Sequence, residues 1–178
     1  HHAAARCARE VKLYLHWTAG HYGQFFADYH VQIDADGGIY VIRDGALDDV
    51  LAATYLRNSG SISAAVLGCV GATTEQLGSE PPTAAQIESL AMATAALADG
   101  LWLSIDAEHI LTHGEAADNA DGVYAHPPYG PRTTCERWDL EYLGTRESPI
   151  FNPWAEDGSR GGDVLRGKAQ YYREQGGF

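Results

Sequence analysis

Alternating apolar and polar positions predict several short strands in the N-terminal half of the chain. Residues 11–16 (VKLYLH) form an apolar run that ends before a Thr-Ala-Gly loop, which is typical of a short strand. Residues 29–34 (YHVQID) and 38–43 (GIYVIR) flank Ala35-Asp36-Gly37, and Asp-Gly between two such runs is a strong hairpin signal. The apolar run 61–69 (SISAAVLGC) predicts a further, buried strand.

Helical periodicity is clearest over residues 83–100. Thr83 can cap the start of this helix, and Gln86 completes a capping box. Gly100 stands where a C-terminal cap is expected. A terminal helix is predicted over residues 163–172 (DVLRGKAQYY). The positions that follow helical spacing in the longer helix are Ile87, Leu90, Ala91, Thr94, Leu97 and Leu101.

The remaining segments alternate between short apolar runs and irregular stretches. The run 110–113 (ILTH) ends in a histidine, and residues 119–135 are so rich in Gly, Pro, Asp and Tyr that a loop is predicted. Residues 136–143 are predicted to open a helix that carries Trp138. There is no sign of a repeat or of a second domain. The pattern therefore predicts a single α/β domain with a central mixed β-sheet flanked by helices.

Composition narrows the classes of partner. The chain has 178 residues, which is enough for one domain with a substantial core. Its net charge of −12 argues against a nucleic-acid partner, because phosphate binding requires a surplus of Lys and Arg. The apolar stretches are too short to span a membrane, and residues 1–10 lack the apolar core of a secretory signal. We therefore expect a protein made in the cytoplasm without a signal peptide and with no membrane partner.

Three cysteines, Cys7, Cys69 and Cys135, cannot all pair within one chain and show no CxxC spacing, so reduced thiols are expected. Cys69 lies in an apolar run and is predicted to be a core residue. A Cys135 nucleophile paired with His113 or His126 is conceivable, but no cysteine-protease signature surrounds it. A cysteine hydrolase is therefore the weakest of the hypotheses that we consider.

Two histidines, His16 and His113, stand at the ends of apolar runs, where side chains can face a shared cleft. Catalytic zinc requires three protein ligands and an open position for water. These two histidines and a later carboxylate or thiolate meet that count. The candidates are scattered through the chain, with no HExxH motif, so on chemistry alone ordinary hydrogen-bonded histidines remain the commoner interpretation.

Several short motifs follow one another in a characteristic order between residues 11 and 143. They are His16-Trp17-Thr18-Ala19, Tyr29-His30-Val31 followed by Asp36-Gly37, Asn58 with Ser61-Ile62, a long helix, Thr112-His113, and Arg137-Trp138-Asp139. Each motif alone is weak, whereas the ordered set is specific. In this order the chain resembles the type-2 N-acetylmuramoyl-L-alanine amidases, which include phage lysozymes of the amidase type and animal peptidoglycan-recognition proteins.

The resemblance implies a zinc ion and its three ligands. The first two zinc histidines of the family fall on His16 and His113. The third ligand, which is Cys in some members and Asp in others, falls on Asp139, with Cys135 as its competitor. All three positions thus hold side chains that are competent to bind zinc.

The resemblance also implies catalytic residues beside the metal. The tyrosine of the family falls on Tyr29, and its catalytic lysine falls on Arg137, a permanent cation that exchanges protons poorly. Members without the tyrosine use a glutamate at the position that Ala65 occupies here, so the chain resembles the tyrosine branch. His30 and Glu115 are candidates for delivering a proton to the leaving amine.

The function that the resemblance implies is hydrolysis of the amide between N-acetylmuramic acid and L-alanine in peptidoglycan, with a monomer acting as a phage lysis protein. The alternatives are a peptidoglycan-binding module without catalysis and, for location, a cytoplasmic enzyme that recycles wall fragments. We assign residues 1–143 to the catalytic domain and residues 144–178 to a C-terminal extension that packs on or trails the same domain. The role of that extension is open.

Overall fold

A five-stranded mixed sheet forms the centre of the molecule. The computed structural model describes residues 11–41 and 46–176, so residues 42 and 43 of the third predicted run lie outside the described part. The sheet order is β3-β2-β4-β1-β5, with β2 and β3 antiparallel and all other pairs parallel. The predicted α/β class with a mixed sheet is confirmed. The strands are β1 Lys12–Trp17, β2 Val31–Ile33, β3 Ile39–Val41, β4 Ser61–Val66 and β5 Ile110–Thr112.

The register of the sheet brings two strand ends together at one edge. β1 lies between β4 and β5, with Leu15 opposite Thr112 and His16 opposite Ala65. Because β1 and β5 are parallel, both strands end on the same side of the sheet, where His16 is near the end of β1 and His113 directly follows β5. Sheet pairing therefore brings together two residues that are far apart in sequence.

Alternation along β1 sends successive side chains to opposite faces of the sheet. Leu13, Leu15 and Trp17 belong to the main core, which packs against the two long helices. Tyr14 lies on the other face, in a small buried cluster with Leu111 and Ala116. His16 shares the face of Tyr14, so it points away from the long helices and towards the loops.

Three α-helices complete the fold: α1 Ala84–Leu101, α2 His113–Ala117 and α3 Gly161–Gln175, with a short 3-10 helix at Ala46–Asp48. The capping box at the start of α1 is confirmed, since Gln86 N–H donates to the Thr83 hydroxyl and Thr83 N–H donates to the Gln86 side chain, each at 3.0 Å. In the part of the chain that the structure describes, none of these helices has the length and apolar character that a membrane crossing needs.

Two local predictions are wrong. Gly100 does not cap α1, because the helix continues so that Leu101 packs against the core, and the left-handed cap is Trp102, at φ 59°. Residues 136–143 form no helix. Arg137 and Leu140 adopt positive φ angles of 56° and 60°, which a right-handed helix does not allow. The bends allow the buried Leu140 to join the core.

The C-terminal residues pack on the same core as the rest of the chain. Leu165 of α3 is fully buried in the main cluster. Lys168 and Tyr172 both bond to the Glu88 carboxylate of α1, at 2.7 and 2.6 Å. The division of the chain at residue 143 stays a prediction.

The start of α3 makes a contact that admits only glycine. An ideal Cβ on Gly161 would lie 1.8 Å from the Leu140 carbonyl oxygen, whereas a Cβ on Gly167 of the same helix meets nothing within 4 Å. We expect Gly161→Ala to lower the free energy of unfolding by about 2–3 kcal/mol, because the backbone must shift. Gly167→Ala is the matched control and should raise it by about 0.5–1 kcal/mol, because alanine favours the helix. Urea denaturation checks both, and equal effects of the two substitutions would contradict the close contact.

Candidate metal centre

Three side chains converge at the edge of the sheet where β1 and β5 end. His16, His113 and Asp139 each offer one ligand atom, and these atoms lie within 4.8 Å of one another. The Asp139 Oδ2 atom is 3.3 Å from Nδ1 of His16 and 3.2 Å from Nδ1 of His113. The two imidazole ring centroids are 4.7 Å apart. The group can hold a metal ion.

The charge states within this group suit metal binding. Burial lowers the pKa of His16 to about 4, although the hydrogen bond that the Asp139 carboxylate accepts from the charged imidazole opposes the shift. For Asp139, burial raises the pKa, but the charges and hydrogen bonds of His113 and His16 outweigh it, so the net shift is downwards. At neutral pH the group therefore presents a neutral His16 imidazole and an ionised carboxylate, which are the forms that bind metals.

The distances and the donor set fit zinc. Tetrahedral ligands at about 2.05 Å from a zinc ion lie roughly 3.3 Å from each other, which matches both Nδ1–Oδ2 separations. Two histidines and an aspartate are ligands that zinc accepts, and three protein ligands leave the fourth position of a tetrahedron free. That arrangement is typical of catalytic sites, whereas structural zinc sites use four protein ligands.

A fourth residue, Thr54, orients the first histidine. Its hydroxyl is 3.0 Å from Nε2 of His16, so Nδ1 is left to face Asp139. Thr54 itself is held by its N–H, which donates to the Asn58 side chain at 2.7 Å. Metal-binding histidines commonly have a partner of this kind on their second nitrogen. Sequence inspection did not assign this role, because nothing in the local sequence marks Thr54 as a partner of His16.

Tyr29 lies against the group. Its ring centroid is 5.3 Å from that of His16. Burial raises the pKa of the Tyr29 phenol, and the charges of Asp139 and Asp28 add to the rise. The phenol is therefore protonated at neutral pH and can act as a hydrogen-bond donor beside the two imidazoles. Ala65, opposite His16 on β4, offers no carboxylate at this position.

Arg137 lies at a neighbouring cavity and is not part of the three-residue group. It is exposed. Burial raises the pKa of the nearby Tyr129 phenol, and the charge of Arg137 opposes that rise. The cavity, of about 200 Å³, connects this arginine to the candidate ligand Asp139. It is lined by Trp17, Ala19, Ala72, Arg137, Trp138 and Asp139.

Comparison with known families decides the assignment of the chain. A family model described as N-acetylmuramoyl-L-alanine amidase matches residues 1–137, which is more than three quarters of the sequence. The chain belongs to the N-acetylmuramoyl-L-alanine amidase family. The match includes His16, Tyr29 and His113 and ends two residues before Asp139. The predicted family is thus confirmed, and membership supports either cell-wall amidase activity or peptidoglycan binding.

Several solved structures resemble this amidase-family chain at low sequence identity. The amidase LysC from Clostridium intestinale URNW has 19% identity over 58% of this chain and 69% of that one, with a TM-score of 0.44. The Ph2119 endolysin from Thermus scotoductus MAT2119 bacteriophage Ph2119 has 18% identity over 58% and 71%, with a TM-score of 0.46. Drosophila peptidoglycan recognition protein SD has 15% identity over 66% and 80%, with a TM-score of 0.43. No curated protein matches the chain.

Two residues considered as proton donors are engaged elsewhere in this amidase-family fold. The His30 Nδ1 atom accepts from the Ser63 N–H at 3.0 Å, and its Nε2 donates to the Asp49 carbonyl at 3.0 Å. Glu115 is buried in an ion pair with Arg166, with an N–O distance of 2.8 Å. Both side chains therefore serve the fold, and neither is aimed at the three-residue group.

The two cysteines that the structure describes give no support to a competing site. Cys69 is fully buried, as predicted, and Cys7 lies outside the described residues. Cys135 is exposed, and its thiol contacts the Pro131 carbonyl at 3.7 Å. The His126 imidazole bonds to Arg57 and to the Pro127 carbonyl. These contacts give no support to a Cys135–His126 pair.

An aromatic rim, which we define as Tyr55, His126 and Tyr129, lies on the loop side of the site. The Tyr55 and Tyr129 centroids are 6.0 Å apart, and that of His126 is 4.6 Å from Tyr129. Tyr55 follows Thr54 directly and is 59% exposed. Burial raises the pKa of Tyr129, and the charge of the nearby Arg137 opposes that rise. The rim therefore adjoins residues of the site and presents aromatic surface to solvent.

Proposed function

We propose that the chain is a zinc-dependent amidase that hydrolyses the amide between N-acetylmuramic acid and L-alanine in peptidoglycan. The observation that carries this proposal is the convergence of His16, His113 and Asp139 in a member of the amidase family, with Asp139 Oδ2 3.2–3.3 Å from both imidazole Nδ1 atoms. Three protein ligands with one free position favour catalysis over a structural role for the metal.

The three candidate ligands share one role, and Thr54 has another. His16, His113 and Asp139 would hold the ion, and Thr54 accepts the Nε2 proton of His16, which leaves the Nδ1 lone pair free to act as a ligand. When bound, zinc supplies an acidic water as nucleophile and polarises the scissile carbonyl. The Asp139 carboxylate contributes the negative charge that partly offsets the dication.

Two further residues stabilise charge in the transition state. Tyr29, protonated at neutral pH, donates a hydrogen bond to the oxyanion that develops on the amide carbonyl. Arg137 contributes positive charge from the cavity that it shares with Asp139. A guanidinium keeps its protons in this pH range, so Arg137 acts as an electrostatic group and leaves proton transfer to others.

The substrate surface extends from the site over the aromatic rim. The exposed Tyr55 ring and the half-buried Tyr129 and His126 rings suit the apolar faces of sugar rings and the stem peptide, and the net charge of −12 does not favour nucleic acid. We place the action of the protein at the bacterial cell wall, as a monomeric lysis protein. A binding module without catalysis would use the same surface, and the assay below separates the two.

Metal removal tests the proposed function directly. The purified chain is expected to contain one zinc ion, and treatment with a chelator should abolish the release of amino groups from isolated peptidoglycan, because the nucleophile is then lost. Zinc re-addition should restore it. Mass spectrometry of the products should show free N-terminal L-alanine and intact glycan chains.

Two results would contradict this function. Undiminished amine release in the chelator would exclude zinc catalysis. Zinc-loaded protein that sediments with peptidoglycan but releases no amine would identify a binding module.

A further inference from the structure

A half-buried arginine from the C-terminal segment, Arg160, contacts Glu141, which lies two positions after the third candidate ligand, Asp139. Arg160 donates from Nε to Glu141 Oε2 at 2.9 Å and from Nη2 to Glu141 Oε1 at 2.9 Å. The Glu141 side chain is fully buried and that of Arg160 is 12% exposed. A planar guanidinium paired with a carboxylate in this way fixes the direction as well as the distance of the contact.

A second arginine, Arg166, makes a similar paired contact with Glu115, near the second candidate ligand. Arg166 donates from Nη1 to Glu115 Oε2 and from Nη2 to Glu115 Oε1, both at 2.8 Å. Glu115 lies two positions after His113 and in the same short helix, α2. Arg166 also donates to the Ile110 carbonyl of β5 at 2.9 Å. It therefore joins α3 both to α2, which contains His113, and to β5, which directly precedes it.

Thr112, directly before His113, links the two ion pairs. Its hydroxyl donates to Glu141 Oε1 at 3.2 Å, and its N–H donates to Glu115 Oε2 at 2.9 Å. The five residues form one continuous network next to His113, joined through the hydroxyl and the backbone N–H of Thr112. We call it the arginine clamp: Arg160, Glu141, Thr112, Glu115 and Arg166.

The segment that carries Asp139 is irregular, so the hydrogen bonds of a helix or strand do not fix its position. The residues around it belong to no helix or strand, and Arg137 and Leu140 bend the chain with positive φ angles. In the segment 137–141, backbone bonds run from Glu141 N–H to the Trp138 carbonyl and from Gly161 N–H to the Glu141 carbonyl. The second of these bonds comes from the residue after Arg160, so the same C-terminal turn holds Glu141 by its main chain and its side chain.

We propose that the arginine clamp positions His113 and Asp139 for metal binding, with Arg160 and Arg166 as positioning residues. The inference rests on the proposed function, since it assumes that these ligands hold zinc. It gives residues 144–178, whose role the sequence leaves open, a part in the site. Buried ion pairs add little net stability, and fixing one geometry is a role that compensates for their cost.

The arginine clamp is tested by measuring metal affinity, on the whole 178-residue chain after its metal has been removed. We expect Arg160→Met to weaken cobalt and zinc binding by about 10- to 100-fold, the usual effect of losing a group that orients a ligand. The cobalt absorption spectrum should also lose the intensity of a four-coordinate site, because Asp139 is no longer held in place. Lys168→Met is the matched control: it removes another α3 cation paired with a carboxylate, Glu88, away from the site, and should leave affinity and spectrum unchanged.

The outcomes separate the clamp from the proposed function. A wild-type chain that binds neither metal overturns both. Wild-type binding together with equal affinity and an unchanged spectrum in Arg160→Met overturns the clamp and leaves the function standing. If the methionine variant does not fold, Arg160→Lys replaces it, since lysine keeps the charge but loses the paired geometry. Its affinity should be weakened with an altered cobalt spectrum, and wild-type values for both would overturn the clamp.

Discussion

Replacing Asp139 with asparagine is expected to remove zinc from the purified chain and to lower amide hydrolysis by at least about 1,000-fold, because catalysis then lacks the cation that activates water. Asparagine has nearly the same shape as aspartate but lacks the negative charge. The carboxylate is the only anionic member of the three-residue group and lies 3.2–3.3 Å from both imidazole Nδ1 atoms. Zinc content by elemental analysis and amine release from peptidoglycan measure the two effects.

Tyr29→Phe is the control that separates metal loss from a catalytic defect. The phenol lies against His16 but outside the ligand group, so the variant should keep its zinc. Its kcat should fall by about 100-fold, because one hydrogen bond to the developing oxyanion is lost. Full zinc content with full activity in Asp139→Asn would show that the assigned ligand is wrong. Loss of zinc in Tyr29→Phe would show that the tyrosine serves the metal centre.

Several strands and the start of α1 could be predicted from local patterns, because each pattern reflects a physical preference of neighbouring residues. The Asp36-Gly37 hairpin and the alternation on its two sides predict β2 and β3, and the apolar run that contains His16 predicts β1. The Thr83 capping box predicts the start of α1 to the residue. These signals depend only on neighbours in the sequence. The prediction of Gly100 as the cap was wrong for the same reason. The packing of Leu101 against the core is a tertiary contact, and it overrides a local capping signal.

The site was predictable only in part. His16 and His113 end apolar runs, so their placement at a common edge of the sheet follows from parallel strands, whereas Asp139 was identified by its place in a family motif. Thr54 was missed as a partner of His16, and so was the role of Glu141. These residues act through contacts with partners 38 and 29 positions away in sequence, and no local pattern reports such pairings. The ligand and catalytic roles of the five assigned residues stay predictions.

A further buried cation, Arg57, holds the loop that carries His126 and Tyr129 of the aromatic rim. Arg57 donates to both Asp121 carboxylate oxygens, at 2.8 and 3.0 Å, and to the Asn119 side chain at 2.6 Å. The Tyr14 hydroxyl of β1 donates to the same carboxylate at 2.8 Å. The side chains of Arg57 and Asp121 are 1% and 0% exposed. The pair thus ties the segment before β4, the loop after α2 and the sheet into one unit.

Arg57→Met is expected to lower the free energy of unfolding by about 3–5 kcal/mol, because the Asp121 charge is left buried without its cation. This is a large share of the roughly 5–15 kcal/mol that stabilises a typical domain, and for a chain of this size it corresponds to a Tm lower by about 10 °C. Urea denaturation and calorimetry at neutral pH measure it. Lys168→Met, at a partly exposed pair, should cost less than about 1 kcal/mol.

The pH dependence distinguishes this ion pair from simple loss of packing. Burial raises the pKa of Asp121, but the hydrogen bonds of Arg57 and Tyr14 outweigh it and the net shift is downwards. The unfolded chain therefore binds more protons below the ordinary aspartate pKa of about 4, so the wild type loses stability as the pH falls through that range. In Arg57→Met burial acts without the cation, the pKa rises, and that loss on acidification disappears. The difference in stability between wild type and variant should therefore be widest near pH 7 and shrink towards pH 3.

A constant difference across this range would mean that the methionine variant suffers from altered packing and that the pair contributes no charge-dependent stability. Arg57→Met/Asp121→Asn, in which no buried charge is left unpaired, should recover part of the loss at pH 7 and show little change with pH.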